Sequence, residues 1–219
     1  VSNSALVGLR RPATTPSQAV KILGADLTRT LVLAVDLFSH YNPFTLRPFS
    51  IDALWEHSQA VAELATAIAA AERADERVVR DAALAGLFHD IGRLTLASQL
   101  TGPYKEIMSR VRGAGVPLSD AERGVLGTTH AEVGAYLLGL WGMSDPLVEA
   151  VAWHHRPSGC PGSGFTPLTA VHVADALLSD DTGAVLDRAY LGRLGLEHRV
   201  PVWRGLLNKP DAPAGEGER

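Results

Sequence analysis

Leucine, alanine and valine return every three or four residues along most of this chain, and the alternating β-branched runs that build strands are missing. One helical turn takes 3.6 residues, so this spacing gathers apolar side chains on one stripe and predicts an all-α architecture. A chain of 219 residues, 46% of them hydrophobic, can bury a full core, which sets the expected count at one domain, or one domain plus an appendage.

The stripes place the elements. Val20, Leu23, Leu27, Leu31 and Val35 mark a first helix over 16–40, closed by Tyr41-Asn42-Pro43. Ser50 is the predicted N-cap of a helix to Arg73, with Ile51, Leu54, Val61, Ala65 and Ile68 inward and His57 among them. One helix is expected from Glu76 to Leu100, with Leu84, Leu87, Asp90, Ile91 and Leu94 on its buried side. A polar stretch through Gly113–Pro117 follows, then a helix over 119–140 with a kink or fresh start at Gly127-Thr128-Thr129, just before His130. Asp145-Pro146 opens a short helix that Arg156-Pro157 stops after His154-His155, and residues 157–164 form a Gly/Pro loop carrying Cys160. Thr166-Pro167 starts a helix whose stripe is Leu168, Val171, Asp175 and Leu178. A last helix is expected over 184–194, and a polar tail from Leu206 is expected to be disordered.

Composition excludes several functions. With 20 basic and 24 acidic residues the net charge is −4, which does not favour phosphate-driven nucleic-acid binding. No run of about 18 apolar residues suggests a membrane span, and no basic leader precedes an apolar block. The single cysteine cannot pair internally or build a thiolate metal site; it fits a reducing, cytoplasmic compartment.

Against that apolar background stands His89-Asp90, inside Ala85-Gly86-Leu87-Phe88-His89-Asp90-Ile91-Gly92-Arg93. A buried carboxylate is costly without a cation or a full set of donors. Candidate ligands lie on five predicted helices: His57, His89, Asp90, His130, His154, His155 and Asp175, each inward or at a helix end, as bundle metal sites are built. Imidazole with carboxylate suits Mn, Fe, Zn or Ni, and Mg less well; four ligands satisfy one ion and seven permit two. Other roles stay open: His154 and His155 as charges at a helix C-terminus, His130 as a cap. His172, three residues before Asp175, reads as a hydrogen-bond partner orienting that carboxylate. His40 and His198 read as surface residues, Trp55 and Trp153 as core packing.

These motifs resemble the HD superfamily of metal-dependent phosphohydrolases, and within it the HDOD domains of bacterial signalling proteins. The resemblance is carried by Glu56-His57-Ser58, Leu87–Arg93, Gly127–Gly134, Trp153-His154-His155 and Val173-Ala174-Asp175, and extends to Asn3–Leu9, so that it spans about residues 2–195. It implies an all-α, HD-domain-like helical bundle. It further implies one metal on His57, His89, Asp90 and Asp175, with Asp90 bridging to a second on His130, His154 and His155. Such a pair would activate water and clamp a phosphoryl group, with Asp90 and Arg93 serving catalysis, Arg93 contacting a phosphate oxygen where many relatives carry lysine. The implied activity is hydrolysis of a phosphate ester or nucleotide. Cyclic di-GMP is not the expected substrate, because Arg156–Gly162 lacks the acidic, Gly-Tyr-Pro-containing loop; Ala53, where some members carry glutamate, argues against a third metal. The alternative is a non-catalytic output or interaction module. The start at Val1, without an initiator methionine, reads as an excerpt governed by a fused upstream regulatory domain. The expected division is 1–48 as the N-terminal HDOD part, 49–195 as the metal-binding core and 196–219 as a C-terminal segment.

Overall fold

Ser50 caps the first described helix as its sequence predicts, its Oγ accepting the Ala53 amide at 3.2 Å. The computed structural model describes Thr15, Gln18, Lys21, Thr28 and Val32, then residues 50–179 and 185–207. Of the helix expected over 16–40, the described residues Gln18, Lys21, Thr28 and Val32 are helical; the rest of it, His40 included, and the tail beyond Leu207 lie outside the described residues. Among the described residues there is no strand. Ten α-helices follow in order: α1 (Ile51–Ala71), α2 (Glu76–Phe88), α3 (Ile91–Gln99), α4 (Thr101–Ala114), α5 (Leu118–Leu126), α6 (His130–Leu140), α7 (Asp145–Trp153), α8 (Pro167–Leu178), α9 (Arg188–Arg193) and α10 (Val200–Leu206). Short 3-10 turns occupy Pro157–Gly159 and Glu197–Arg199. No described helix is long and apolar enough to cross a membrane.

The stripes read from sequence are the buried faces. Leu54, Val61, Ala65 and Ile68 of α1, and Leu168, Val171 and Asp175 of α8, are buried. Helix α2 packs against α1, α7 and α8, while α3 packs on α6 and α4. The single helix expected over 76–100 is therefore two. It breaks at His89-Asp90, where Asp90 leaves helical geometry at φ −100°, ψ 8°. No proline or glycine stands at the break itself; each half follows a different packing partner, and periodicity within one segment cannot report that.

Two close approaches fix the arrangement. A Cβ on Gly86 would lie 2.7 Å from Cα of Ala62, so α2 meets the α1 backbone directly. A Cβ on Gly92 would lie 2.0 Å from the carbonyl oxygen of His130, so α3 rests on the start of α6. Helix α4 occupies much of what sequence reading left as connection and ends on Gly115 with φ +63°. The fresh start before His130 is present: Gly127 turns at φ +73°, and Thr129 with Glu132 forms a capping box.

Buried apolar residues form two clusters. The larger runs from Val61 and Phe88 through Val151 and Ala174 to Trp203. The smaller joins Leu54, Leu94, Tyr104, Ile107 and Leu118. His57 falls between Leu54 of one and Val61 of the other, and Asp90 and Arg93 are next to Ile91 of the larger and Leu94 of the smaller, so these three lie along the seam.

Candidate metal centre

The seven side chains singled out from sequence converge. Helix α1 brings His57, the α2–α3 break His89 and Asp90, the first residue of α6 His130, the end of α7 His154 and His155, and α8 Asp175. Donor atoms of Asp90, His130, His154 and His155 lie within 4.8 Å of one another, as do those of His57, His89 and Asp175. The two groups touch, with ring centroids of His89 and His154 5.1 Å apart. Asp90 faces both: Oδ1 lies 3.2 Å from Nε2 of His130, and Oδ2 lies 3.6 Å from Nε2 of His89. Across the centre, His57 Nε2 is 3.1 Å from Asp175 Oδ1.

Hydrogen bonds to the backbone fix two of the imidazoles. His89 Nδ1 donates to the Gly86 carbonyl at 2.7 Å, and His154 Nδ1 donates to the Val151 carbonyl at 2.7 Å. A neutral imidazole so bonded presents a lone pair at Nε2. Both Nε2 atoms are buried without a hydrogen-bond partner, and that of His89 points towards Asp90 and, at 3.9 Å, Asp175. Lone pairs turned on carboxylates repel, unless a cation lies between them. The residues present therefore fit a divalent ion.

Charge in the centre follows from its neighbours. Burial opposes ionisation of Asp90, yet the adjacent Arg93 guanidinium and the hydrogen bond from His130 outweigh it and hold the carboxyl well below its usual range. Asp175 is likewise lowered despite burial, by the hydrogen bond from His57. Burial and the adjacent imidazole of His130 drive His155 down to about 3, and burial drives His154 well below 6.5. His130 moves the other way, to about 9, because Glu122 and Asp90 overcome its desolvation.

Glu122 escaped the sequence reading. It is fully buried, and its Oε2 accepts from the His130 amide at 2.8 Å and from His130 Nδ1 at 2.6 Å. The signal that could have found it is the one that marked Asp175: a carboxylate in register with apolar residues, here one turn after Leu118.

Other residues stand differently from expectation. Arg93 directs Nη1 onto Asp90 Oδ2 at 2.6 Å, with 14% of its side chain exposed. His172 does not hold Asp175. Its Nδ1 donates to the His154 carbonyl at 2.7 Å and its Nε2 accepts the Asp187 amide at 2.9 Å, because packing of α8 against α7 turns it to the end of α7. Cys160 is buried, not carried on a loose loop, since Arg193 bonds the carbonyls of Ser158 and Cys160 at 3.2 and 3.1 Å. Trp55 packs on the larger core, but Trp153 is half-exposed, its ring lying against the Gly159 backbone. His198 is exposed as expected.

Comparison with known proteins agrees with this geometry. Among solved structures, an HDOD domain protein of unknown function from Geobacter sulfurreducens is 23% identical with a TM-score of 0.62, over 95% of this chain and 78% of the other. A candidate phosphohydrolase from Shewanella amazonensis SB2B is 20% identical with a TM-score of 0.66, over 92% and 75%. The MmoQ response regulator from Methylococcus capsulatus str. Bath is 25% identical with a TM-score of 0.54, over 93% and 81%. An uncharacterized protein of Treponema pallidum (strain Nichols) is 22% identical over 73% of this chain, which spans only 30% of that relative's length. Residues 1–157 match the HDOD domain, a stretch that contains His57, His89, Asp90, His130, His154 and His155 and stops short of Asp175. With its all-helical, HD-like fold and most of its length within that match, the chain belongs to the HDOD domain family.

Proposed function

We propose that this chain is a signal-transduction output domain whose core holds one or two divalent cations on His57, His89, Asp90, His130, His154, His155 and Asp175, and that the centre hydrolyses a phosphate ester or nucleotide. The observation that carries this reading is the pair of Nε2 atoms of His89 and His154, buried without hydrogen-bond partners in a pocket that also holds Asp90 and Asp175. The names of the Shewanella phosphohydrolase and the Methylococcus response regulator lend it support.

A divalent cation in such a centre lowers the pKa of bound water and neutralises phosphoryl oxygens. The chain's own residues prepare for it. Gly86 and Val151 carbonyls set the tautomers of His89 and His154. Arg93 keeps Asp90 ionised and turns its two oxygens to opposite groups of imidazoles. The donor set of nitrogen and oxygen accommodates Mn, Fe, Zn or Ni, with Mg a poorer match.

Metal analysis of purified, reconstituted protein tests the reading, together with assays over a broad panel of phosphoesters. One or two equivalents of metal, with metal-dependent hydrolysis lost in Asp90→Ala, is the expected outcome; no metal after reconstitution overturns the ligand assignment. A second reading is a non-catalytic module, gated by an upstream regulatory domain, in which the cation shapes the fold. It is favoured by Arg93, whose guanidinium is engaged with Asp90 and not preset to meet a phosphate. Metal-loaded protein inactive over the whole panel decides for that reading.

A further inference from the structure

We infer that helix α9 is a clasp on the turn that carries His154 and His155, and that Asp187, Arg193 and His172 are positioning residues which aim those two imidazoles into the centre. Their task presupposes the metal centre proposed above, and none of the three bonds to a proposed ligand atom. Helix α9 lies beyond residues 1–157, the stretch matched to the HDOD domain.

Neighbouring residues of a helix point about 100° apart, so consecutive histidines do not ordinarily face one pocket. Here their ring centroids lie 4.0 Å apart, because α7 ends at Trp153 and the chain turns at His154. The last carbonyls of a helix have no partner within it. That of His154 accepts from His172 Nδ1 at 2.7 Å, and this bond fixes the plane of the peptide that joins His154 to His155. His172 is buried and spends both ring nitrogens on backbone atoms, its Nε2 accepting the Asp187 amide at 2.9 Å.

Both ends of α9 then bind the turn itself. Asp187, its N-cap, accepts the Tyr190 amide on Oδ1 at 2.8 Å and Ser158 Oγ on Oδ2 at 2.5 Å. At the other end Arg193 gives Nη1 to the Ser158 carbonyl at 3.2 Å and Nη2 to that of Cys160 at 3.1 Å. Core packing explains Tyr190 and Leu191, which are buried, but not these two. Arg193 is exposed and Asp187 half-buried, so water would satisfy both, yet their polar atoms turn to residues 158–160. Tyr190 anchors the clasp to α8, its hydroxyl 2.7 Å from Thr169 Oγ1. The helix that carries Asp175 and the turn that carries His154 and His155 are therefore held in register by bonds that need no cation. Groups that orient a metal ligand from behind set how well it binds.

The test is a Co²⁺ titration of the full chain, read by the visible bands of the bound ion and by metal content after desalting, with circular dichroism to confirm folding and urea unfolding to measure stability. Asp187→Ala and His172→Gln are each expected to raise the half-saturating Co²⁺ concentration by about 10–100-fold and to change the bands at saturation. Asp187→Asn, whose amide keeps a partner for both Tyr190 and Ser158, is expected to recover most of that loss. Arg193→Ala, at an exposed position where the fold tolerates substitution, is expected to shift both readouts in the same direction by less. Glu72→Ala is the control: it removes the acceptor of Arg199 Nε and Trp203 Nε1 at the far end of α1, about 22 Å from His57 by helical rise. It is expected to lower stability and to leave half-saturation within about twofold of wild type, with unchanged bands. Wild-type half-saturation and bands in any folded variant among Asp187→Ala, His172→Gln and Arg193→Ala overturn the clasp while the metal centre stands. A shift in Glu72→Ala as large as in those variants does the same. Wild-type protein that takes up no Co²⁺ overturns the metal-centre reading, and the clasp with it.

Discussion

His130 and His155 meet through their Nε2 atoms at 2.9 Å, yet their environments drive them apart in charge. Folding raises His130 from 6.5 to about 9, so its contribution to stability is complete below 6.5 and disappears as pH rises through 9. Folding lowers His155 from 6.5 to about 3, so its contribution is complete above 6.5 and is lost as pH falls towards 3. His154 and His172 are also lowered and add to the acid side. Chelator-treated protein is therefore expected to be most stable between about pH 6 and 7, with its unfolding midpoint falling on both sides. A thermal melt series from pH 4 to 10, on the order of half-unit steps, checks this; stability rising steadily from 6.5 to 10 would contradict the charge placed on His130. At this scale the sequence was informative about which residues converge, because a histidine or carboxylate on an apolar stripe is conspicuous. It misjudged His172, whose ring direction depends on a neighbouring helix end, and it passed over Glu122.

The decisive element is the break between α2 and α3. It turns a helix that would have displayed His89 and Asp90 about 100° apart into a corner that presents both to the same seam. Gly92 holds that corner against α6, where no side chain fits between the backbones. Gly92→Ala is expected to push α3 from the start of α6, separating Asp90 from His130 and costing about 1–3 kcal/mol by overpacking. Urea unfolding measures the stability loss, and metal content measures the separation; a variant with wild-type values for both refutes the close contact. Most element boundaries that carry local signals were legible: the Ser50 cap, Gly127 before α6, and Thr166-Pro167 before α8. The α2–α3 break and the start of α4 were not, since neither Asp90 nor Leu100 makes a side-chain cap hydrogen bond and both answer to packing elsewhere.

For the molecule as a whole, the candidate ligands come from α1, α6, α7, α8 and the α2–α3 corner, so a cation held there ties together helices from both apolar clusters. A ligand that binds only the folded state stabilises it, by about 2.7 kcal/mol at a hundredfold excess over its dissociation constant. For a chain of this size that corresponds to about 5–10 °C in Tm. Removal of metal by chelator is expected to lower the melting temperature by that amount, and re-addition to restore it, by scanning calorimetry. No shift in protein shown to bind metal would mean that the ion does not join the helices.

By itself the sequence determined that the chain is all-helical, which faces are buried, and which histidines and aspartates accompany the apolar stripes, because each is a property of spacing within one segment. Only the tertiary structure decided that a helix breaks at His89-Asp90, that Glu122 stands behind His130, that Arg93 turns onto Asp90 and that His172 serves His154. Those depend on contacts between segments distant in the chain, where backbone approaches such as Gly92 on His130 choose the partner and the spacing of residues does not.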